Sequence, residues 1–153
     1  MLLDNLIARW QRIWPPCWLS VYWLRFRPGA SLRAAHLKAG DWAETWAECY
    51  LRRQGLRVQA RRYLCRRGEI DLIMLHDAVL VFVEVRYRQA GGALESINSQ
   101  KQQHILRCAL RYLQTQRGAA YRNCRFDVVT IEGSQTAPVV DWIKDAFRPP
   151  APK

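Results

Sequence analysis

Apolar positions along the chain recur with a helical period in some stretches and run nearly unbroken, or alternate, in others, and this sets an order of elements. In residues 1–38, Leu3, Leu6, Ile7, Trp10, Ile13 and Trp14 fall on one helical face before Pro15-Pro16 ends the pattern. From Gly40 the pattern becomes regular. Ala43, Trp46, Ala47, Tyr50 and Leu51 form an apolar stripe, with Asp41 placed to cap its start and Gly55 to close its end. Strands are predicted at Val58 to Leu64, Ile70–Leu75, Val79–Arg86, Arg125–Glu132 and Val139–Ile143. A second helix is predicted from about Asn98 to Gln116, burying Ile105, Leu106, Ala109, Leu110 and Leu113. The order α-β-β-β-α-β-β predicts an α/β protein of the α+β kind: a mixed sheet with a helix on each side.

Three segments follow from this pattern. Residues 1–38 form a Trp-rich amphipathic extension, 39–147 the globular body, and 148–153 (RPPAPK) a flexible tail. With 153 residues the chain has room for one domain and a short appendage. The apolar run Cys17–Leu24 is too short to span a bilayer, which needs about 20 residues. The extension also lacks the basic start and small-residue cleavage site of a signal peptide, so a cytoplasmic protein is expected. Its six basic residues against one acid would suit an anionic membrane surface or a protein partner.

Composition narrows the chemistry. The net charge is +11, and only four of the 24 basic residues are lysine (38, 101, 144, 153), the rest being arginine. Arginine's planar fork matches phosphate, which points to a polyanionic partner, nucleic acid first. The five cysteines contain no CxxC pair, and an odd count suits reduced thiols better than a disulfide framework. The three histidines supply no local zinc pattern.

The stretch GEIDLIMLHDAVLVFVEVRYR, residues 68–88, carries the candidate chemistry. It reads as two strands buried on both faces, each holding a carboxylate. A two-residue turn at Asp77-Ala78 sets Asp71 directly across from Glu84. A two-residue turn at His76-Asp77 shifts the pair by one diagonal, and a three-residue turn sends the two to opposite faces. Two carboxylates among Ile, Leu, Phe and Val require compensation of several kcal/mol per ion. A hard divalent cation is one solution; paired arginines such as Arg86, Arg66 and Arg67 are the other.

GEIDLI followed by VFVEVR, preceded by GxxxExxAxxYLxxxG (Gly40, Glu44, Ala47, Tyr50, Leu51, Gly55), resembles the YraN-like family of bacterial proteins. Lys101, Ala109 and the strand RFDVV at 125–129 continue the match, which covers about residues 40–147. That family is similar to Holliday-junction resolvases of the PD-(D/E)XK nuclease superfamily. The resemblance implies a restriction-endonuclease-like αβββαβ core that hydrolyses DNA phosphodiesters with Mg²⁺ or Mn²⁺, on branched or structured DNA by analogy, and a homodimer. By position it makes Asp71 and Glu84 metal ligands, with Glu44 on the first helix completing the acidic set directly or through water.

The chain departs from the superfamily pattern at one place. The lysine two residues after the strand glutamate is Arg86, whose guanidinium stays charged and cannot act as a general base. Arg86 can still orient water or stabilise the phosphorane, and Lys101 in the first turn of the second helix is the other candidate for the lysine's part. The alternative is a catalytically impaired nucleic-acid-binding protein of the same fold. Arg61, Arg62, Arg66, Arg67, Arg88, Lys101 and Arg107 are the expected phosphate contacts, with Arg86 and Arg111 beside them.

Overall fold

The computed structural model describes residues 32–66, 68–89, 97–116, 118–119, 122–149, with side chains from residue 39 onward. Residues 1–31 of the expected 1–38 extension, Arg67 and the end of the tail lie outside them. Contacts divide the chain into two units, 1–37 and 38–153, and the sheet belongs to the second.

The elements are α1 (Leu32–Arg53), β1 (Arg57–Cys65), β2 (Gly68–His76), β3 (Val79–Arg88), α2 (Ser99–Thr115), β4 (Cys124–Ser134) and β5 (Ala137–Ile143). The strands form one sheet in chain order, antiparallel except for the parallel β3–β4 pair. A parallel neighbour requires a crossover, and α2 lies in it. The mixed sheet with a helix against each face is thus present, in the αβββαβ order.

Each face of the sheet has its own core. Ala43, Ala47 and Leu51 of α1 pack with Leu72, Met74, Val81, Val83 and Val129. Ile105, Cys108, Ala109 and Tyr112 of α2 pack with Ile73, Leu80, Phe82 and Phe126 on the other face. Alternation along β3 therefore assigns Val81, Val83 and Val85 to the α1 side and Leu80, Phe82 and Glu84 to the α2 side.

Local rules explain the ends. Gly55 takes φ +92°, and Leu56 N–H donates to Leu51 O while Gly55 N–H donates to Arg52 O, the paired closure of a Schellman motif. Asn98 caps α2 by accepting from Lys101 N–H through Oδ1 at 2.9 Å. The start of α1 differs from expectation. The helix runs nine residues N-terminal of Asp41, whose carboxylate is engaged by Arg62 instead of capping.

The buried stripe of α2 is rotated from the expected one. Cys108 and Tyr112 are buried and Leu110 is 57% exposed. Tyr112 meets Tyr63 and Phe82 edge-on, and Cys108 is joined to Cys65 of β1 by a disulfide, which together turn this side of the helix inward. The disulfide also corrects the expectation of reduced thiols for these two residues. It closes a sequence separation of 43, so reduction is expected to cost about 2–4 kcal/mol. Melting with and without dithiothreitol checks this: a transition that reductant leaves in place would remove the bond from the account of stability.

Candidate active site

β2 and β3 turn through Asp77-Ala78. His76 pairs with Val79, and the register continues through Leu72 opposite Val83. Asp77 has φ +53°, the left-handed region that Asp tolerates in such turns. The next position in this register sets Asp71 against Glu84, the first of the three arrangements considered. The ladder stops there, and the Asp71 side chain takes over: Oδ2 accepts from Val85 N–H at 2.7 Å. Asp71 thus holds the point where the strands part, with 7% of its surface exposed against 2% for Glu84.

Glu84 is compensated by two cations of different origin. Lys101 Nζ from α2 lies 2.8 Å from Glu84 Oε1, and Arg86 from the same strand reaches that oxygen at 3.2 Å. The other oxygen, Oε2, is buried without a hydrogen-bond partner, as is Arg86 Nε. Such orphaned atoms are uncommon inside proteins, and each calls for an explanation.

Both carboxyls are pushed above their ordinary values. Burial raises Asp71 to about 8, with the neighbouring Glu84 charge adding to it; the Val85 amide and Lys101 pull the other way. Glu84 is raised by burial, against the pull of Lys101 and Arg86, and Glu69 raises it further. Strong shifts in a specific charge cluster are a signature of functional sites, although ion-pair networks produce them as well.

Glu44 does not join Asp71 and Glu84 directly. Its carboxylate is held by Arg62 Nε at 2.6 Å, and among the described residues no three His, Cys, Asp or Glu side chains gather as a metal site. Its charge still reaches Asp71, which it raises. The donor set that remains is two carboxylates with one orphaned oxygen. This fits Mg²⁺ or Mn²⁺, since Mg²⁺ takes one or two protein carboxylates and completes its shell with water and phosphate.

The expected phosphate contacts separate into two groups. Arg61 is bidentate to Glu48, with Nε and NH2 at 2.5 and 2.6 Å, and Arg62 is shared between Glu44 and Asp41. These contacts raise the pKa of both guanidinium groups. Consecutive strand residues normally face opposite sides, but Arg62 has φ +45°, which breaks the alternation and lets both reach α1. Asp41, Glu44 and Glu48 are spaced three and four apart, a single acidic stripe facing them. Arg66, Arg88, Arg107 and Arg111 are exposed. Glu48, which its place one turn from Glu44 beside the apolar stripe would leave at the surface, is buried at 9% exposure. The signal that could have found it is this acidic stripe opposite an arginine pair.

Asp127 is a different kind of buried acid. It is fully buried and accepts from Arg125 through both oxygens, from Trp142 Nε1 at 2.9 Å and from Asp145 N–H at 3.0 Å. Every lone-pair direction has a donor, so it is a structural anchor.

The family model described as "Uncharacterised protein family UPF0102" matches residues 43–131, which include Glu44, Asp71, Glu84, Arg86 and Lys101. The chain belongs to this family. A UPF0102 protein of Pseudomonas syringae pv. syringae is 45% identical over 119 residues, covering 75% of this chain and 97% of the relative. Another from Pseudomonas aeruginosa (strain LESB58) is 49% identical over 113 residues, covering 71% and 90%. A third, from Nitrosococcus oceani, is 47% identical over 118 residues, covering 75% and 95%. UPF0102 is the YraN-like group that the sequence motifs resemble. Among the described residues no helix is long and apolar enough to cross a membrane.

Proposed function

We propose that this UPF0102 protein is a metal-dependent endonuclease that hydrolyses DNA phosphodiesters in the cytoplasm. The observation that carries the reading is the convergence of Asp71 and Glu84 where β2 and β3 part, with Glu84 Oε2 buried and unpartnered. A purely structural ion pair would satisfy both oxygens, as Asp127 does. Asp71 and Glu84 would hold Mg²⁺ or Mn²⁺. When bound, the metal polarises a phosphoryl oxygen and lowers the pKa of water.

The chain's own residues supply the rest. Arg86 stays charged beside Glu84, with Nε directed to no protein partner, and is suited to orient a phosphate oxygen. Lys101 stands in the first turn of a capped helix, where backbone amides favour an anion. Exposed Arg66, Arg88, Arg107 and Arg111 provide general attraction for the backbone, so binding is expected to weaken steeply with salt. The family analogy adds branched or structured DNA as substrate.

The test is cleavage of linear, flap and four-way DNA with Mg²⁺ or Mn²⁺. Activity that requires the metal and disappears in Glu84→Gln supports the reading; activity unchanged in that variant would sink it. A second reading, a binding module on the same fold, is favoured by Arg86 standing where the superfamily has lysine. Arg86→Lys separates the two. Cleavage seen only in that variant makes the natural chain a binder, whereas a wild type that already cuts makes the arginine a working residue.

A further inference from the structure

We infer that Lys101 is a displaceable resident cation of the acidic pair: it occupies Glu84 in the free protein and leaves when a divalent cation enters. The inference rests on the reading above, that Asp71 and Glu84 take a metal. It concerns what holds the site together beforehand and what moves.

The contacts distinguish a fixed frame from a loose part. Asp71 is fastened to the main chain of β3 through the Val85 amide. Arg86 lies on the same strand as Glu84, two residues along. Lys101 alone approaches from another element. Its backbone is tied down by the Asn98 cap, but the ammonium is carried on a flexible four-carbon stem with 25% of the side chain exposed. Arg86 is about as exposed, at 24%, but its Nε is buried beside Glu84, whereas Lys101 is held there through its terminal ammonium, so Lys101 is the more readily withdrawn of the two.

Charge balance favours a withdrawal. Two cationic side chains already meet the Glu84 carboxylate, and the Lys101 charge also reaches Asp71, so the resident set holds no surplus of negative charge. A divalent ion added to this buried set leaves an excess of positive charge in a region of low dielectric, which is costly. An ion on the unpartnered Oε2 would share one carboxylate's charge with Nζ and the Arg86 guanidinium, which already sit on Oε1, so its arrival weakens the hold of Glu84 on Lys101. Release of Lys101 restores balance and frees an ammonium beside a helix N-terminus, ready for a backbone phosphate of the nucleic acid. Metal and nucleic acid should then favour each other's binding, because each draws on the same lysine.

The test uses the wild-type chain with Mg²⁺ alone. Lysines are reductively methylated with and without the ion, and modified sites are located by peptide mass spectrometry. Lys101 is expected to react slowly without metal and several-fold faster with it, while Lys144, which lies over the Trp142 ring, serves as the unchanged reference. Calorimetric Mg²⁺ titration of wild type and Lys101→Gln provides the second measurement. The variant is expected to bind roughly tenfold more tightly. If Mg²⁺ binds while Lys101 labelling stays the same, displacement is wrong and the metal reading survives. If neither chain binds Mg²⁺, the metal reading falls and displacement falls with it. The labelling arm needs no variant and stands even if Lys101→Gln does not fold.

Discussion

Replacing Asp127 with alanine is expected to lower stability by about 3–5 kcal/mol, the loss seen when one partner of a buried ion pair is removed. The side chain is wholly buried on β4 and gathers donors from three places. Arg125, two residues back on the same strand, uses Nε and NH2; Trp142 on β5 uses its indole N–H; and the Asp145 amide closes the turn after β5. Alanine takes the shared acceptor from all of these donors, and the Arg125 charge remains partly buried, with His76 Nδ1 at 3.2 Å and the Trp142 ring beside it but no carboxylate in hydrogen-bond contact. Asp127→Asn retains an oxygen but loses the charge and should fall between. Urea unfolding followed by tryptophan fluorescence measures both variants. A loss below about 1 kcal/mol for alanine would mean that solvent or a rearranged Arg125 replaces the carboxylate.

The pattern along the chain contained most of the fold because its signals are local. The β2–β3 turn, the Asn98 cap and the Gly55 closure each depend on residues within a few positions of one another. The opposition of Asp71 and Glu84 followed from one turn length and the two-residue period of strands. What stayed hidden depended on contacts between distant elements. Cys65 and Cys108 give no sign of pairing while the direction of α2 across β1 is unknown. Arg61 and Arg62 look like part of a phosphate track until α1 places Glu48, Glu44 and Asp41 opposite them, aided by a left-handed Arg62. Glu44 entered the metal set only by resemblance, and that arginine now holds it. Lys101 was legible as a candidate, but not as the ion pair of Glu84, because nothing near it in sequence says which strand its helix crosses. Asp41 resembles a helix cap by residue type, and a helix that continues through it overrides that preference.

Asp71→Asn is expected to move stability and cleavage in opposite directions. Burial first and Glu84 second raise the Asp71 carboxyl to about 8, whereas in the unfolded chain it titrates near 4. Between those values the folded protein keeps a proton that the unfolded chain has released. The unfolded state therefore binds fewer protons, and wild-type stability should fall as pH rises from about 4 to about 8, then level off. Glu84, also raised, contributes with the same sign. Asparagine can still accept from the Val85 amide but carries no charge to bury, so the variant should be the more stable by a few kcal/mol at pH 8 and show a flatter profile. Under the proposed function it also removes one of two metal ligands, and cleavage should drop by about a thousandfold, from a metal that now lacks half its protein charge. Thermal unfolding across pH 4–9, alongside cleavage at a fixed pH, gives both readings. A variant that melts lower than wild type at pH 8 would show that the carboxylate is held by more than it costs. A wild type whose stability is constant across the window would place the proton elsewhere. A variant stabilised but fully active would separate the burial of Asp71 from the chemistry, leaving Glu84 to hold the metal without it.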